Sequence, residues 1–295
     1  MSPDKILILG ASGFIGRALA QRLGERAVAT WNSRAVPGWH HFDATRNGID
    51  TLPLNGVSHA IILLGNTNPD SCARDRHASD RLNIECVLQA CDALGQRGIH
   101  CTFASTEVVF DGKAGGYVET DPTAAMLVYG QQKVAVEQHL TAHWPQAAIF
   151  RLAKVYGTSP GDGSLLDGWY RQAQAGGAIR CAADFISSVV HVDDVVDAFL
   201  GACQRNLSGL YHLGGPAPVS RLAMFQALLE AFAKAGTPLP AQAVGCSIDD
   251  FPTLEGRPKD VSLNNTKLVT DLSWSPRSIG QACADFVTLA RGIGG

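Results

Sequence analysis

The segment Gly10-Ala-Ser-Gly13-Phe-Ile-Gly16 limits what this chain can fold into more than any other. It follows directly on a short apolar run, KILIL at 5–9. It precedes a stretch at 14–24 whose apolar residues recur at intervals of three and four, the helical spacing. Gly10 permits a tight strand-to-helix reversal. Gly13 lets the main chain approach a pyrophosphate with no Cβ in the way, and Gly16 lets the helix pack close on the sheet. The helix N-terminus then offers unpaired N–H groups and partial positive charge to phosphates, with Ser12, Phe14 and Ile15 completing the turn. Glycine spacing alone is weak; its place between a strand and a helix gives it weight. The expected ligand is NADP or NAD.

The remainder of the chain alternates in the same manner. Apolar strand-like runs fall at 28–30, 59–64, 99–105 and 147–153, and helical patterns at 79–95 and 129–143. Strands buried on both faces and joined by helices imply a parallel sheet wrapped on each side. The expected class is α/β, a doubly wound parallel (Rossmann) sheet with a smaller, discontinuous C-terminal substrate lobe. After residue 155 the rhythm loosens. A loop at 157–164 precedes a helix at 165–175, and 186–204 reads as a strand, then a helix starting near Asp193. A short strand at 211–215 and a helix at 220–235 follow, and 236–262 is rich in proline and glycine. The dinucleotide domain is therefore placed at 1–155, receiving segments near 178–216. The substrate lobe is placed mainly at 156–177 and 217–295. A chain of 295 residues accommodates both.

Composition excludes several classes. The net charge is −3, with no basic run, which argues against nucleic acid or a membrane surface as partner. No apolar run approaches the ~20 residues that span a bilayer. The eight cysteines are scattered and form no C-x-x-C pair, so they read as reduced, buried small hydrophobes. The N-terminal apolar stretch is too short for an export signal, and the expected location is the cytoplasm. No histidine and carboxylate spacing suggests a metal site.

The second strand runs into Trp31-Asn32-Ser33-Arg34. Many dinucleotide folds end this strand with an acid that bonds the ribose 2′-hydroxyl. Here Asn32 and Ser33 supply donors instead, and Arg34 suits a 2′-phosphate, which favours NADP over NAD. The alternative for Arg34 is a solvated loop arginine. Asp43, followed by Ala44, either sits near the adenine amine or merely caps a turn.

Ser105-Thr106 ends a strand, and Tyr129 and Lys133 stand four residues apart on the next helix, sharing a face. A carbonyl that accepts hydride becomes an alkoxide and must be protonated. Tyrosine can donate that proton, but its free pKa is about 10. A neighbouring cation stabilises the phenolate and lowers that value, which is the part expected of Lys133. Thr106 would hold the substrate oxygen. A tyrosine and lysine at this spacing also occur as an ordinary surface helix pair.

Longer segments carry a family likeness. Ser105-Thr-Glu-Val-Val-Phe-Asp-Gly112 resembles the S-T-D-Y-V-F-D-G segment of dTDP-4-dehydrorhamnose reductase-like proteins, members of the extended short-chain dehydrogenase/reductase superfamily. Tyr129-Gly-Gln-Gln-Lys133 falls at the expected interval. Arg151-Leu-Ala-Lys-Val-Tyr-Gly157, Val190-His-Val-Asp-Asp-Val195 and the segment from Gly256 to Leu268 resemble further family motifs. The resemblance implies cofactor contacts at Ser12 to Ile15, at Leu64, Gly65 and Asn66, and at Lys133. It implies that Asn83 holds active-site backbone or water, and that Thr106, Tyr129 and Lys133 are catalytic. Glu107, Val108 and Lys154 occupy the family's sugar-side positions, but Glu-Val replaces Asp-Tyr and Lys154 replaces a tryptophan. Arg257 is either a ligand for a substrate diphosphate or a fold-stabilising arginine. His191, Asp193 and Asp194 read as structural, the two acids suiting a helix N-terminus. The implied activity is NADP-preferring reduction of a 4-keto group on a nucleotide-linked deoxysugar. An epimerase and a non-catalytic NADP-binding regulatory subunit are the alternatives, and a homodimer is left open.

Overall fold

The structure is a computed structural model and describes residues 4–293. β1 (Lys5–Leu9) is apolar along its length, and Ile6, Leu7, Ile8 and Leu9 are all buried. A strand with no polar face belongs at the centre of a sheet. α1 (Phe14–Leu23), β2 (Ala27–Trp31), β3 (His40–His41) and β4 (Val57–Ile62) follow. Next come α2 (Pro69–Arg74), α3 (Arg76–Asp80), α4 (Cys86–Gly95) and β5 (His100–Thr106). α5 (Val128–His143) and β6 (Ala148–Leu152) come next. The later elements are β7 (Val155–Tyr156), α6 (Leu165–Ala175), β8 (Gly177–Ala182), β9 (Ile186–Ser187) and β10 (Val190–His191). They continue with α7 (Val192–Arg205), β11 (Gly209–Leu213), β12 (Val219–Ser220) and α8 (Arg221–Lys234). β13 (Ala241–Cys246), α9 (Thr266–Leu272) and α10 (Ile279–Ile293) end the order.

The central sheet has seven strands in the order β11-β6-β5-β4-β1-β2-β3. The ladders β3-β2, β2-β1, β1-β4 and β4-β5 are parallel, with Leu7 opposite Val28 on one side and Ala60 on the other. This is the mostly parallel Rossmann-like sheet expected from the alternating pattern. Strand order reverses between β1 and β4. Parallel α/β sheets open a crevice beyond the carboxyl ends of the strands at that point. Leu7, Leu9, Ile62, Phe103, Val136 and Leu140 belong to one apolar core beneath it.

The chain divides into two compact units, 1–109 with 123–151 and 196–211, and 110–122 with 152–195 and 212–295. The expected boundary at 155 thus falls at 151. The segment 178–216 is split, since 178–195 and 212–216 belong to the second unit. Its local pairing explains part of this: β8 runs parallel to β13, from Gly177 opposite Ala241 to Ala182 opposite Cys246. Segment 110–122, assigned from sequence to the first domain, also joins the second unit. Tyr117 N–H donates to Ser262 O at 2.9 Å, and Asp260 N–H donates to Gly112 O at 2.9 Å. A core of Tyr156, Trp169, Met224, Phe225, Phe232 and Phe286 fills this unit.

The helix expected across 79–95 is interrupted. Arg81–Glu85 forms a π-helical turn between α3 and α4. The proline- and glycine-rich stretch 236–262 contains β13, whose sequence AQAVGC has too few branched residues to announce a strand. All eight cysteines are unpaired, and seven are buried, as small hydrophobes would be. No described helix is long and apolar enough to cross a membrane.

Gly16 fixes how near α1 comes to the strand-helix turn. A Cβ there would lie 2.5 Å from Ala11 Cα and 2.6 Å from Gly10 O, both main-chain atoms that cannot swing away. Gly48 has negative φ, and a Cβ there would meet nothing within 4 Å. Gly16→Ala is therefore expected to destabilise the fold by about 1–3 kcal/mol in urea melts, the usual cost of overpacking. Gly48→Ala should stay within about 0.5 kcal/mol of the parent, as uneventful surface substitutions do. Equal effects would contradict the close approach.

Candidate active site

The turn after β1 is formed by main chain. Gly10 has φ +87°, a left-handed conformation that favours glycine, and its N–H donates to Thr30 Oγ1 at 3.1 Å. Gly13 is the N-cap of α1, yet no side chain caps that end and no acid stands in the first turn. An uncapped helix N-terminus of this kind offers unpaired N–H groups and the positive end of the helix dipole. A Cβ on Gly10 would sit 2.9 Å from Leu63 O, so the turn after β1 and the turn after β4 lie against each other.

The turn after β4 is held by one buried amide. Asn83, 1% exposed on the π-helical turn, accepts from Asn66 N–H at 2.7 Å through Oδ1. Its Nδ2 donates to Asn66 O at 2.9 Å and to Gln132 Oε1 at 2.7 Å. Gln132 in turn donates to Ser79 Oγ and Asp80 Oδ1, both at 2.8 Å. Gly65 has φ +144°, and a Cβ there would come 2.8 Å from Asn83 Oδ1. Both groups of the Asn83 amide are therefore spent on protein. That suits a role in holding the backbone of the turn after β4.

Asn32, Ser33 and Arg34 follow β2 and are exposed. No ion pair engages Arg34 among the described residues. Asp43 is differently placed: its Oδ1 accepts from Thr45 N–H at 3.0 Å and Oγ1–H at 2.7 Å. Those two hydrogen bonds, above all, hold its carboxyl below the usual range. The turn-capping alternative thus accounts for Asp43, and Ala44 packs against the apolar core.

α5 brings three polar side chains to β5. Tyr129 and Lys133 are buried, and Thr106 at the end of β5 is 8% exposed. Thr106 Oγ1 accepts from Val108 N–H at 3.4 Å, and its hydroxyl acts on the Tyr129 phenol against the effect of burial. Lys133 Nζ donates to Ala104 O at 2.8 Å and stands 4.5 Å from the Phe103 ring centroid and 5.7 Å from that of Tyr129. Gly130 makes this fit, because a Cβ there would strike Val108 O at 2.3 Å. The surface-pair alternative for Tyr129 and Lys133 is excluded by their burial.

The protonation states differ from the sequence-based expectation. Burial drives the Tyr129 phenol well above its ordinary range, and Lys133 does not offset it. Burial also pushes Lys133 down to about 8, against the opposing field of Glu137. Charged groups are costly to bury, and here that cost outweighs the attraction expected between the two. A protonated phenol is the form a proton donor must start from.

Glu107 is buried and Val108 half-buried, in a short helical turn after Thr106. Lys154 is exposed and Arg257 half-buried, both in the second unit. His191 is structural: its Nδ1 accepts from Asp193 N–H at 3.1 Å, and its Nε2 lies 3.1 Å from Thr158 Oγ1. Asp194 does more than serve a helix end, for it pairs with Arg277 at 3.0 Å. Sequence reasoning missed Gln132, and also a buried Ser105-Glu137-Arg151 cluster whose Arg151 Nη2 lies 2.8 Å from Glu137 Oε2. Glu137 follows Lys133 at the same four-residue interval as Lys133 follows Tyr129, which was the available signal.

A glycine turn at the sheet's reversal point and a threonine-tyrosine-lysine set at the end of β5 define a Rossmann-like protein of the tyrosine-lysine type. Residues 4–291 match the family model described as the RmlD substrate binding domain, and the chain belongs to that family. It is 35% identical to a dTDP-4-dehydrorhamnose reductase of Mycobacterium tuberculosis over 77% of this chain and 75% of that one. It is 26% identical to the methionine adenosyltransferase 2 subunit beta of Danio rerio over 77% of this chain and 74% of the relative. In fold it resembles the Bacillus anthracis dTDP-4-dehydrorhamnose reductase solved in complex with NADP. That likeness has a TM-score of 0.80, with 20% identity over 97% of this chain and 99% of that one.

Lys133 gives a pH signature of stability. Its value in the folded protein, about 8, lies below the ordinary 10.5. The folded state therefore disfavours the charged form. The penalty is complete below about 8 and is relieved as pH rises from about 8 to 10.5. Wild type should gain about 3 kcal/mol relative to Lys133→Met between pH 7 and 11 in urea melts. A difference independent of pH would show that Lys133 keeps an ordinary affinity for its proton.

Proposed function

We propose that the protein is an NADP-preferring reductase that converts a 4-keto group of a nucleotide-linked deoxysugar to an alcohol. The observation that carries this reading is the buried Thr106, Tyr129 and Lys133 set, with its phenol held protonated. The family and the named reductase among its relatives supply the substrate class. Bound NADPH supplies the hydride. The uncapped α1 N-terminus and the turn at Gly10 to Gly16 hold its pyrophosphate, with Leu64, Gly65 and Asn66 beside it. Thr106 orients the carbonyl oxygen, and Tyr129 gives that oxygen its proton. Lys133 stabilises the resulting phenolate and bonds the nicotinamide ribose. Glu107, Val108, Lys154 and Arg257 are the proposed substrate contacts, Arg257 for a diphosphate and Lys154 for an anionic group.

A second reading, a non-catalytic regulatory subunit, draws on the methionine adenosyltransferase relative. An epimerase would leave NADPH unconsumed over the reaction. Incubation with dTDP-4-keto-6-deoxysugars should oxidise NADPH in a one-to-one ratio with product. Tyr129→Phe should lower turnover by about 10²–10⁴-fold, the usual contribution of a positioned proton donor. NADPH binding by that variant should stay within about threefold, because the phenol does not carry cofactor affinity in this scheme. Turnover unchanged in Tyr129→Phe refutes the assignment, and absence of turnover with NADPH bound favours the regulatory reading.

Arg34 decides cofactor preference. Arg34→Ala should weaken NADPH binding by about 10–100-fold, as loss of a charged hydrogen bond does, and leave NADH binding nearly unchanged. Equal weakening of both nucleotides, measured by nicotinamide fluorescence, would remove Arg34 from the 2′-phosphate.

A further inference from the structure

We propose that Gln132 and Asp80 are positioning residues for the dinucleotide: they set the direction of the Asn83 amide and, through it, the shape of the turn after β4. Their role rests on the proposed place of a dinucleotide beside Leu64, Gly65 and Asn66. Asp80 is the last residue of α3, and its Oδ1 accepts from Gln132 Nε2 at 2.8 Å. Ser79 Oγ accepts from the same nitrogen at 2.8 Å, and its own proton is directed at the carbonyls of Cys72 and Arg76, 3.1 and 3.0 Å away. A carboxylate has no proton to give, and this hydroxyl has already given its own. The amide nitrogen of Gln132 must therefore face α3, which leaves Oε1 to accept from Asn83 Nδ2 at 2.7 Å. The second N–H of Asn83 meets Asn66 O at 2.9 Å, and its oxygen is left to accept from Asn66 N–H at 2.7 Å.

Direction matters because the turn has little room. Gly65 passes Asn83 Oδ1 so closely that a Cβ would come within 2.8 Å of it. An amide turned the other way would set Nδ2 against the Asn66 N–H and Oδ1 against the Asn66 carbonyl, two contacts of like polarity in place of two hydrogen bonds. The Asn66 side chain is held as well: its Nδ2 donates to Ser71 Oγ at 2.9 Å, and its Oδ1 accepts from Asn68 N–H at 3.1 Å. Leu63 O, at the start of the same turn, lies against Gly10, so a shift here is felt by the glycine turn after β1. Gln132, Asn83 and Ser79 are all buried, which shields these bonds from water. A staple between α5 and α3 would need only the bonds to Ser79 and Asp80. The bond to Asn83 carries direction onward, from the Asp80 carboxylate to the main chain of Asn66. Gln132 directly precedes Lys133, so the helix that carries Tyr129 and Lys133 also holds this turn.

Two measurements read this chain of amides: hydrogen exchange at the Asn66 amide in the protein without ligand, and NADP binding by calorimetry. Gln132→Met keeps the volume of the side chain and removes its hydrogen bonds. Asn66 exchange should quicken and NADP affinity should fall, each by about tenfold or more, the usual cost of leaving a buried polar group unpaired. Gln132→Glu keeps an acceptor for Asn83 but sets a second carboxyl beside Asp80. A proton shared by the two carboxyls supplies the missing donor, so this variant should bind NADP nearly as wild type does near pH 5.5. As that proton leaves, its affinity relative to wild type should fall by about tenfold between pH 5.5 and 9. Asp80→Asn added to Gln132→Glu puts a donor opposite the carboxylate, and affinity should return to within about threefold of wild type across the same range. These variants are all close to the parent in volume, so a packing role predicts no such rescue. If Gln132→Glu fails to fold, the uncharged Gln132→Met decides. Asn66 exchange and NADP affinity both unchanged in Gln132→Met, or a Gln132→Glu defect that Asp80→Asn leaves unrelieved, overturns the proposal. Faster exchange with unchanged affinity overturns instead the place given to the dinucleotide beside this turn. Absence of keto-sugar turnover in a wild type that binds NADP as described would overturn the reductase reading alone.

Discussion

The burial of a polar helix face governs this active site. α5 buries Tyr129, Gln132, Lys133 and Glu137 together with Val136 and Leu140. Each buried polar group must find a partner or cost the fold a full desolvation penalty. The partners come from separate elements: the Ala104 carbonyl from β5, Asn83 from the π-helical turn, Arg151 from β6. Satisfying all of them at once leaves α5 little freedom to rotate or slide. The placement of Tyr129 and Lys133 follows from that constraint, because they share the buried face of α5 with groups anchored by the bonds that make their burial tolerable.

Close main-chain approach is the complementary requirement, and glycines supply it. At Gly10 and Gly16 the turn after β1 meets the turn after β4 and the start of α1. At Gly130 the first turn of α5 meets the Val108 carbonyl, and at Gly65 the main chain passes the Asn83 amide. These contacts involve the turns after three strands of the sheet, β1, β4 and β5, and the first turns of α1 and α5. The uncapped N-terminus of α1 lies there, where a dinucleotide phosphate gains most from unpaired N–H groups.

Much of the first unit was legible because its signals are local. KILIL, the glycine turn and the apolar run before Leu63 each declare themselves within a few residues, and β1, α1 and β4 appear within two residues of the expected positions. Tyr129 and Lys133 were legible for the same reason, since a helix turns fixed spacing into a shared face. The π-helical turn was not, because Arg81 to Glu85 reads as ordinary helix and only the demand of Asn66 and Gln132 for the Asn83 amide reveals it. The pairing of β8 with β13 was hidden too. Both strands are small-residue segments far apart in sequence, and each is stabilised by the other.

What the sequence determined by itself was the fold class, the glycine turn between β1 and α1, the shared face of Tyr129 and Lys133 on α5 and the family likeness. Each depends on short-range spacing, which survives without knowledge of distant contacts. The tertiary structure decided where the units divide and gave segment 110–122 to the second one through main-chain bonds to residues near 260. It also decided the charge states. Lys133 looked from its spacing like a cation that would lower the tyrosine's affinity for its proton. Burial instead raises Tyr129 and lowers Lys133, because desolvation depends on everything packed around a group and not on its neighbours in the chain.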